Sequence, residues 1–221
     1  MVKVIGMKIS WLGHSCFKIE DGSGRVVVTD PFDDSVNYPP PRIRADVAVV
    51  SHDHHDHNNV KALKGDPAVV RGPGKKSAAG VEFEGIASYH DERGGKLRGK
   101  NTIFCFEMDE IRVCHLGDLG HQLAEEEAAA LGEVDVLMIP VGGTFTLDAQ
   151  GAKRVAGQIN PRIVIPMHFK TPAVPPSFGI SSADQFLSGQ KVERPGTTLA
   201  VSKESLPKEG EGPVIVVLDY K

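Results

Sequence analysis

Seven consecutive residues, Ser51-His52-Asp53-His54-His55-Asp56-His57, concentrate the chemistry of this 221-residue chain. Their spacing is His-x-His-x-Asp-His. Neutral imidazole ligates divalent zinc, iron and manganese, and carboxylates add charge and harder oxygen donors. Alternate residues of an extended segment point the same way, so His52 and His54 can grip one ion. A turn at His55 would then aim Asp56 and His57 at a neighbouring position. The competing reading is a solvated, histidine-rich loop. Against it, the cluster directly follows a short apolar run, residues 46–51 (DVAVVS), instead of standing at a terminus.

Three distant residues close other strand-like runs: His90 in Ala87-Ser88-Tyr89-His90, Asp118 in His115-Leu116-Gly117-Asp118, and His168 in Pro166-Met167-His168. Each has an ordinary alternative. A lone histidine is often a partly buried core residue, and an aspartate can cap the helix that follows it. His115 competes with His90 as a ligand. It otherwise supports a ligand, moves protons or fills the core. His14 sits at a glycine break and either faces the site or shapes a turn. The backbone amides of residues 140–144 (PVGGT) offer an oxyanion site or merely a turn. Residues 93–100 (RGGKLRGK) form the one dense basic stretch, and they follow His90 as a glycine-rich lid able to meet one anionic group.

These residues need strands to present them. Residues 8–20 read as a strand, 21–24 as a turn and 25–29 as the return strand of a hairpin. Further strands are expected at 46–51, 81–89, 101–107, 111–115, 134–141, 162–167, 197–201 and 214–218. The first residues, 1–6, are expected to lead straight into strand, with no signal-peptide pattern. Helices are expected at 58–64, 124–131, 149–159 and 181–188. The proline-rich stretches at 39–41 and 172–176 read as rigid surface loops. Strands early and strand–helix alternation later suggest two packed sheets with helices outside.

Composition narrows the function classes. With 25 Lys and Arg against 29 Asp and Glu, the chain lacks the electrostatic footprint of a nucleic-acid or membrane-surface binder. No apolar run reaches the roughly 20 residues that span a bilayer. Three cysteines without paired-motif spacing point to free thiols and a cytoplasmic location. If the chain turns at Asp109-Glu110, Cys105 and Cys114 face each other across adjacent strands.

The His-x-His-x-Asp-His motif after a strand, with the later residues at later strand ends, resembles the metallo-β-lactamase superfamily. The resemblance covers essentially the whole chain. It implies a mixed α/β (α+β) fold, a four-layer αββα sandwich forming one domain over residues 1–221. It further implies that His52, His54 and His90 hold one metal, that Asp56, His57 and His168 hold a second, and that Asp118 lies between them. Residues 11–17 (WLGHSCF), Asp30-Pro31-Phe32 and residues 117–121 (GDLGH) are similar to a compact subgroup of metal-dependent hydrolases. That subgroup is related to the ascorbate-6-phosphate lactonases.

The implied cofactors are two divalent ions, zinc first, with manganese or iron as alternatives. Two cations sharing a water lower its pKa from ~15.7 toward ~7, making hydroxide available. Asp118 and Asp56 would place it, and His115 or His14 would protonate the leaving group. The expected function is hydrolysis of a small, anionic ester, lactone or phosphodiester. A nuclease is the alternative, and a redox diiron protein a weaker one. The expected partner is a small-molecule substrate. Membrane association is not expected, nucleic acid is disfavoured, and homo-oligomerisation is left open.

Overall fold

Short runs rich in Val, Ile and Phe, punctuated by Gly, Pro and Asp, extend into strands. The computed structural model describes residues 6–208 and 210–220, so the expectation for residues 1–5 lies outside the described residues. The first sheet has six strands, ordered β13-β1-β2-β3-β4-β5. They are β1 (Met7–Gly13), β2 (Cys16–Glu20), β3 (Val26–Thr29), β4 (Val47–Val50), β5 (Ala68–Arg71) and β13 (Thr198–Val201). The second has eight, ordered β12-β14-β11-β10-β9-β8-β7-β6. These are β6 (Gly74–Ala78), β7 (Val81–Tyr89), β8 (Lys100–Met108), β9 (Ile111–His115), β10 (Val136–Pro140), β11 (Ile163–Met167), β12 (Val192–Glu193) and β14 (Val214–Val216).

The period-two alternation of the strands sorts side chains into layers. Met7, Ile9, Trp11, Phe17, Ile19, Val27, Val47 and Val49 of the first sheet join the main core with residues of the second. Their neighbours Leu12, Cys16, Val26, Val28 and Ala48 enter a separate outer cluster. Phe32, Val36, Tyr38, Leu63, Val174 and Ile180, from loops and 3-10 turns, cover that cluster. Over the second sheet lie α1 (Glu125–Leu131) and α2 (Ala149–Ile159), with α3 (Asp184–Leu187) beside α2. The result is the expected two-sheet α/β sandwich, with its regular helices over the eight-stranded sheet. Among the described residues no helix is long and apolar enough to cross a membrane.

Three local expectations change. Residues 8–20 form two antiparallel strands, because Gly13 (φ 109°) and His14 (φ 52°) take left-handed conformations that reverse the chain. A Cβ on Gly13 would lie 2.6 Å from the Tyr38 ring, so only glycine fits the reversal. At 58–64 only the 3-10 turn Val60–Ala62 forms, held by loop contacts and by the Asn59 amide on the Phe32 carbonyl. The edge strands β5 and β6 and the two-residue β12 were not anticipated. The sequence of β6, GKKSA, is polar and mostly exposed, so its strand state depends on pairing with β7.

The turn at Asp109-Glu110 is present, with both residues at positive φ, and it sets Cys105 directly opposite Cys114. All three cysteines are buried and free. Thiol titration of denatured, unreduced protein is expected to count three, and a count of one would reveal a Cys105–Cys114 bridge.

Candidate metal centre

Strand direction explains why the chemistry gathers at one end. In the first sheet β1, β3 and β4 run the same way, with β2 reversed. In the second, β7, β9, β10 and β11 share one direction, with β8 reversed. His14 follows β1, Asp30 follows β3, and residues 52–57 follow β4. His90 follows β7, Asp118 follows β9, and His168 follows β11. Every one of these residues leaves the carboxyl end of a forward strand, where open α/β sheets bind their ligands.

Besides a group that joins Asp30 to His52 and His57, two groups of donor atoms result. In one, His52, His54 and His90 offer ring nitrogens within 4.8 Å of one another. In the other, His14, His57 and His168 do the same. Asp118 lies between them. Its Oδ2 is 3.1 Å from His90 Nε2, 3.2 Å from His57 Nε2, 3.3 Å from His168 Nε2 and 4.0 Å from His52 Nε2. Asp56 borders the second group, with Oδ2 3.2 Å from His14 Nε2 and 3.7 Å from His57 Nε2. His14, His57, His90, Asp118 and His168 are almost fully buried, whereas His54 is exposed and Asp56 is half-buried.

The backbone is strained where it delivers these groups. His14, Asp30 and His168 have φ of 52°, 37° and 50°. Non-glycine residues rarely adopt such angles, which cost of order 1–3 kcal/mol each and gather at functional sites. Hydrogen bonds hold the strain in place. The carbonyl of His14 accepts from the His168 amide and from Trp11 Nε1, tying the first turn to the last ligand. Gly117 (φ 55°) packs so tightly that a Cβ would meet Asn101 Oδ1 at 2.4 Å and Ser51 Cβ at 2.6 Å. Close packing there seats the Asp118 amide on Asn101 Oδ1.

Behind the ligands, hydrogen bonds set which nitrogen faces inward. Asp30 Oδ2 lies 3.0 Å from His57 Nδ1 and also accepts the Ser51 hydroxyl, while its Oδ1 accepts the Ser51 amide. His90 Nδ1 lies 3.0 Å from the Phe145 carbonyl, which frees Nε2 for the site. His115 differs. Its Nε2 is 2.9 Å from the Ser15 carbonyl and its Nδ1 accepts the Gly117 amide, so both nitrogens bind backbone. The structure therefore makes it a buried brace and leaves no nitrogen for proton transfer to a substrate.

Burial and mutual repulsion keep two rings neutral, the form that ligates metal. Burial, then the charge of His168, brings His14 to about 4. Burial, then His57, brings His52 to about 3. Burial alone would raise Asp118, but the surrounding His168 and His57 overcome it and hold the carboxyl well below its usual range. His57 moves the other way: burial would lower it, and Asp118 with Asp30 raises it well above the ordinary histidine value.

The donor set fits divalent ions. His57 Nδ1 faces Asp30, and its other nitrogen, buried without a hydrogen-bond partner, faces the Asp118 and Asp56 carboxylates. A divalent cation among these groups would take the place of the proton on that nitrogen, with the imidazole and both carboxylates as its donors.

A model described as the beta-lactamase superfamily domain matches residues 8–168, from β1 through His168. The chain belongs to the beta-lactamase superfamily. A UPF0173 metal-dependent hydrolase of Thermoplasma acidophilum is 29% identical over 195 residues, 75% of this chain and 84% of the relative. A UPF0173 protein of Pyrococcus furiosus is 32% identical over 183 residues, again 75% of this chain and 84% of the relative. Among solved structures, a Thermotoga maritima protein described as a candidate Zn-dependent hydrolase of the metallo-beta-lactamase superfamily is 38% identical. It covers 97% of this chain and 100% of its own, with a TM-score of 0.79. The chain thus stands among metal-dependent hydrolases.

Within this superfamily frame, the structure brings His52, His54, Asp56, His57, His90, Asp118 and His168 together, and it adds His14 beside His57 and His168. Residues 140–144 form a turn, since the amides of Val141 and Gly143 go to the Met167 and Leu147 carbonyls. Arg93 and Arg98 reach a pocket beside His90, whereas Lys96 does not line it. Asp30 and Asn101 escaped sequence reasoning as functional residues. An aspartate just after a strand was a visible signal for the first, and nothing in the sequence marked the second.

Proposed function

We propose that this metal-dependent hydrolase holds two divalent ions and cleaves a small ester, lactone or phosphodiester that carries an anionic group. One observation carries the reading: a single buried oxygen, Asp118 Oδ2, lies within 3.1–4.0 Å of four imidazole nitrogens drawn from both donor groups. A carboxylate in that position would serve ions held by either group. His52, His54 and His90 would hold one ion. His57, His168 and Asp56 would hold the other, with His14 at its edge. Zinc is the first choice, with manganese and iron accepted by the same donors.

Bound ions supply Lewis acidity, lowering the pKa of water from ~15.7 toward ~7 and stabilising charge on the attacked group. Asp56, the most open carboxylate of the site, would orient the attacking water, and Asp118 would fix the separation of the two donor groups. Of the two histidines considered for the leaving group, only His14 faces the reacting centre. Substrate has room on both flanks. A pocket of about 610 Å³ adjoins His90, and another of about 690 Å³ adjoins His52 and His54. Such volumes suit small molecules.

Elemental analysis of untagged protein is expected to find about two transition-metal ions per chain. Less than about half an ion after reconstitution with zinc, manganese or iron would rule out the centre. A screen of chromogenic esters, lactones and phosphodiesters should then give metal-dependent turnover. Faster cleavage of RNA or DNA than of every small substrate would replace this reading with a nuclease.

A further inference from the structure

The pocket beside His90 holds a side-chain arrangement that the metal chemistry does not use. It is walled by residues 91–93, 97 and 98, by residues 144–148 and by the first two turns of α2. Three guanidinium groups line it, Arg93, Arg98 and Arg154, against three carboxylates, Asp91, Glu92 and Asp148. Formal charge is balanced, but the hydrogen-bonding capacity is not. The Asp91 carboxylate accepts backbone amides from Arg93, Gly95, Leu97 and Arg98, and so folds the loop around itself. Asp148 accepts the Gly151 amide and caps α2.

Arg98 is also committed. Its Nη2 donates to the Thr144 carbonyl at 3.0 Å, and its guanidinium lies 5.6 Å from the centre of the Phe145 ring. The Phe145 carbonyl in turn holds His90 Nδ1, so the loop is braced onto a metal ligand. Arg93, Arg154 and Glu92 remain: among the described residues, none of these three side chains forms a hydrogen bond or an ion pair, so two uncommitted guanidinium groups share the pocket with one uncommitted carboxylate. Each guanidinium carries five donors in a planar fork suited to carboxylate and phosphate oxygens.

We propose that Arg93 and Arg154 form a seat for a terminal oxyanion of the substrate, a phosphate or a carboxylate, remote from the bond that is cleaved. The proposal deepens the hydrolase reading and rests on it. His90 forms one wall of the pocket and also faces Asp118, so a molecule with its anion on the two arginines would extend along this wall toward the metal centre. The pocket volume, about 610 Å³, accommodates a ligand the size of a small sugar phosphate. Asp91 and Arg98 are positioning residues for the wall that carries Arg93.

Two measurements test the seat. In the first, three versions of one chromogenic ester are compared with metal-loaded enzyme: uncharged, carrying a distal phosphate, and carrying a distal carboxylate. In R93A/R154A, the ratio of kcat/KM for a charged ester to that for the uncharged one is expected to fall at least about tenfold, mainly through KM. Whichever charged ester shows the larger fall identifies the oxyanion. R93K/R154K should recover part of the ratio, because charge remains while the fork is lost. Ratios within about twofold of wild type for both charged esters would overturn the proposal.

The second measurement needs no turnover. Inorganic phosphate is titrated into the full chain after chelator treatment and desalting, with binding read by calorimetry. Binding that weakens at least about tenfold in R93A/R154A supports the seat, and equal affinity in both chains overturns it. If no ester is hydrolysed but phosphate binds through the arginines, the hydrolase reading fails while the anion seat stands.

Discussion

Replacing Asp118 by alanine is expected to empty both halves of the metal centre at once. Metal content should fall from about two ions per chain to less than about half an ion, because one oxygen faces nitrogens of both donor groups. Turnover should fall by about 10²–10³-fold or more, the scale seen when a preorganised electrostatic element is removed. The comparison variant is H168A. His168 belongs to the group with His14 and His57, so its loss should deplete one ion and spare the one held by His52, His54 and His90. Elemental analysis of the two proteins side by side reads the difference. If D118A kept one tightly bound ion, Asp118 would be a ligand of a single metal and the bridge would be refuted.

Asp30→Ala is expected to have the largest effect on stability of any single substitution outside the ligands. The carboxylate is fully buried and serves His57 Nδ1, the Ser51 amide and the Ser51 hydroxyl. Burial alone would raise its pKa, but the hydrogen bond to His57 and the nearby His115 reverse this, so the group is held ionised. Removing one member of a buried charged pair costs about 3–5 kcal/mol, because the partners remain desolvated and unpaired. In a chain of this size that corresponds to a fall in Tm of roughly 10 °C. Affinity for the ion bound by His57 should also weaken about 10–100-fold, because nothing would then hold its ring orientation. Asp30→Asn, which keeps one acceptor oxygen, should fall between the two. Calorimetric melting with zinc titration measures both effects. A D30A protein that melts within about 2 °C of wild type and binds zinc as tightly would show that the contact is structurally idle.

Much of the site was legible from residue types and local spacing. The order His-x-His-x-Asp-His, one apolar strand before it, and single His or Asp residues at later strand ends are local features. Strand ends can be read because apolar runs stop where the chain leaves the core. The turn at Asp109-Glu110 followed for the same reason, and with it the facing of Cys105 and Cys114. Edge strands were not legible. The run GKKSA is polar, and its extended state comes from pairing with β7, a partner outside any local window.

By itself, then, the sequence determined the donor types, their presence at strand ends and the placing of a basic, glycine-rich loop after His90. Tertiary structure decided which donors converge. Gly13 and His14 reverse the chain within what reads as one strand, and that reversal brings His14 against Asp56, His57 and His168. His115 has the same residue type as His90 and a similar place at a strand end. It is still part of β9 and fully buried, whereas His90 lies just past the end of β7, so the buried nitrogens of His115 find their partners in the backbone of Ser15 and Gly117. Arg154 is separated from Arg93 by 61 residues, and the two line one pocket only because α2 packs over β10 of the same sheet. Spacing along a chain specifies what one segment can present. Which segments face one another is settled by strand direction and sheet packing, which no local pattern encodes.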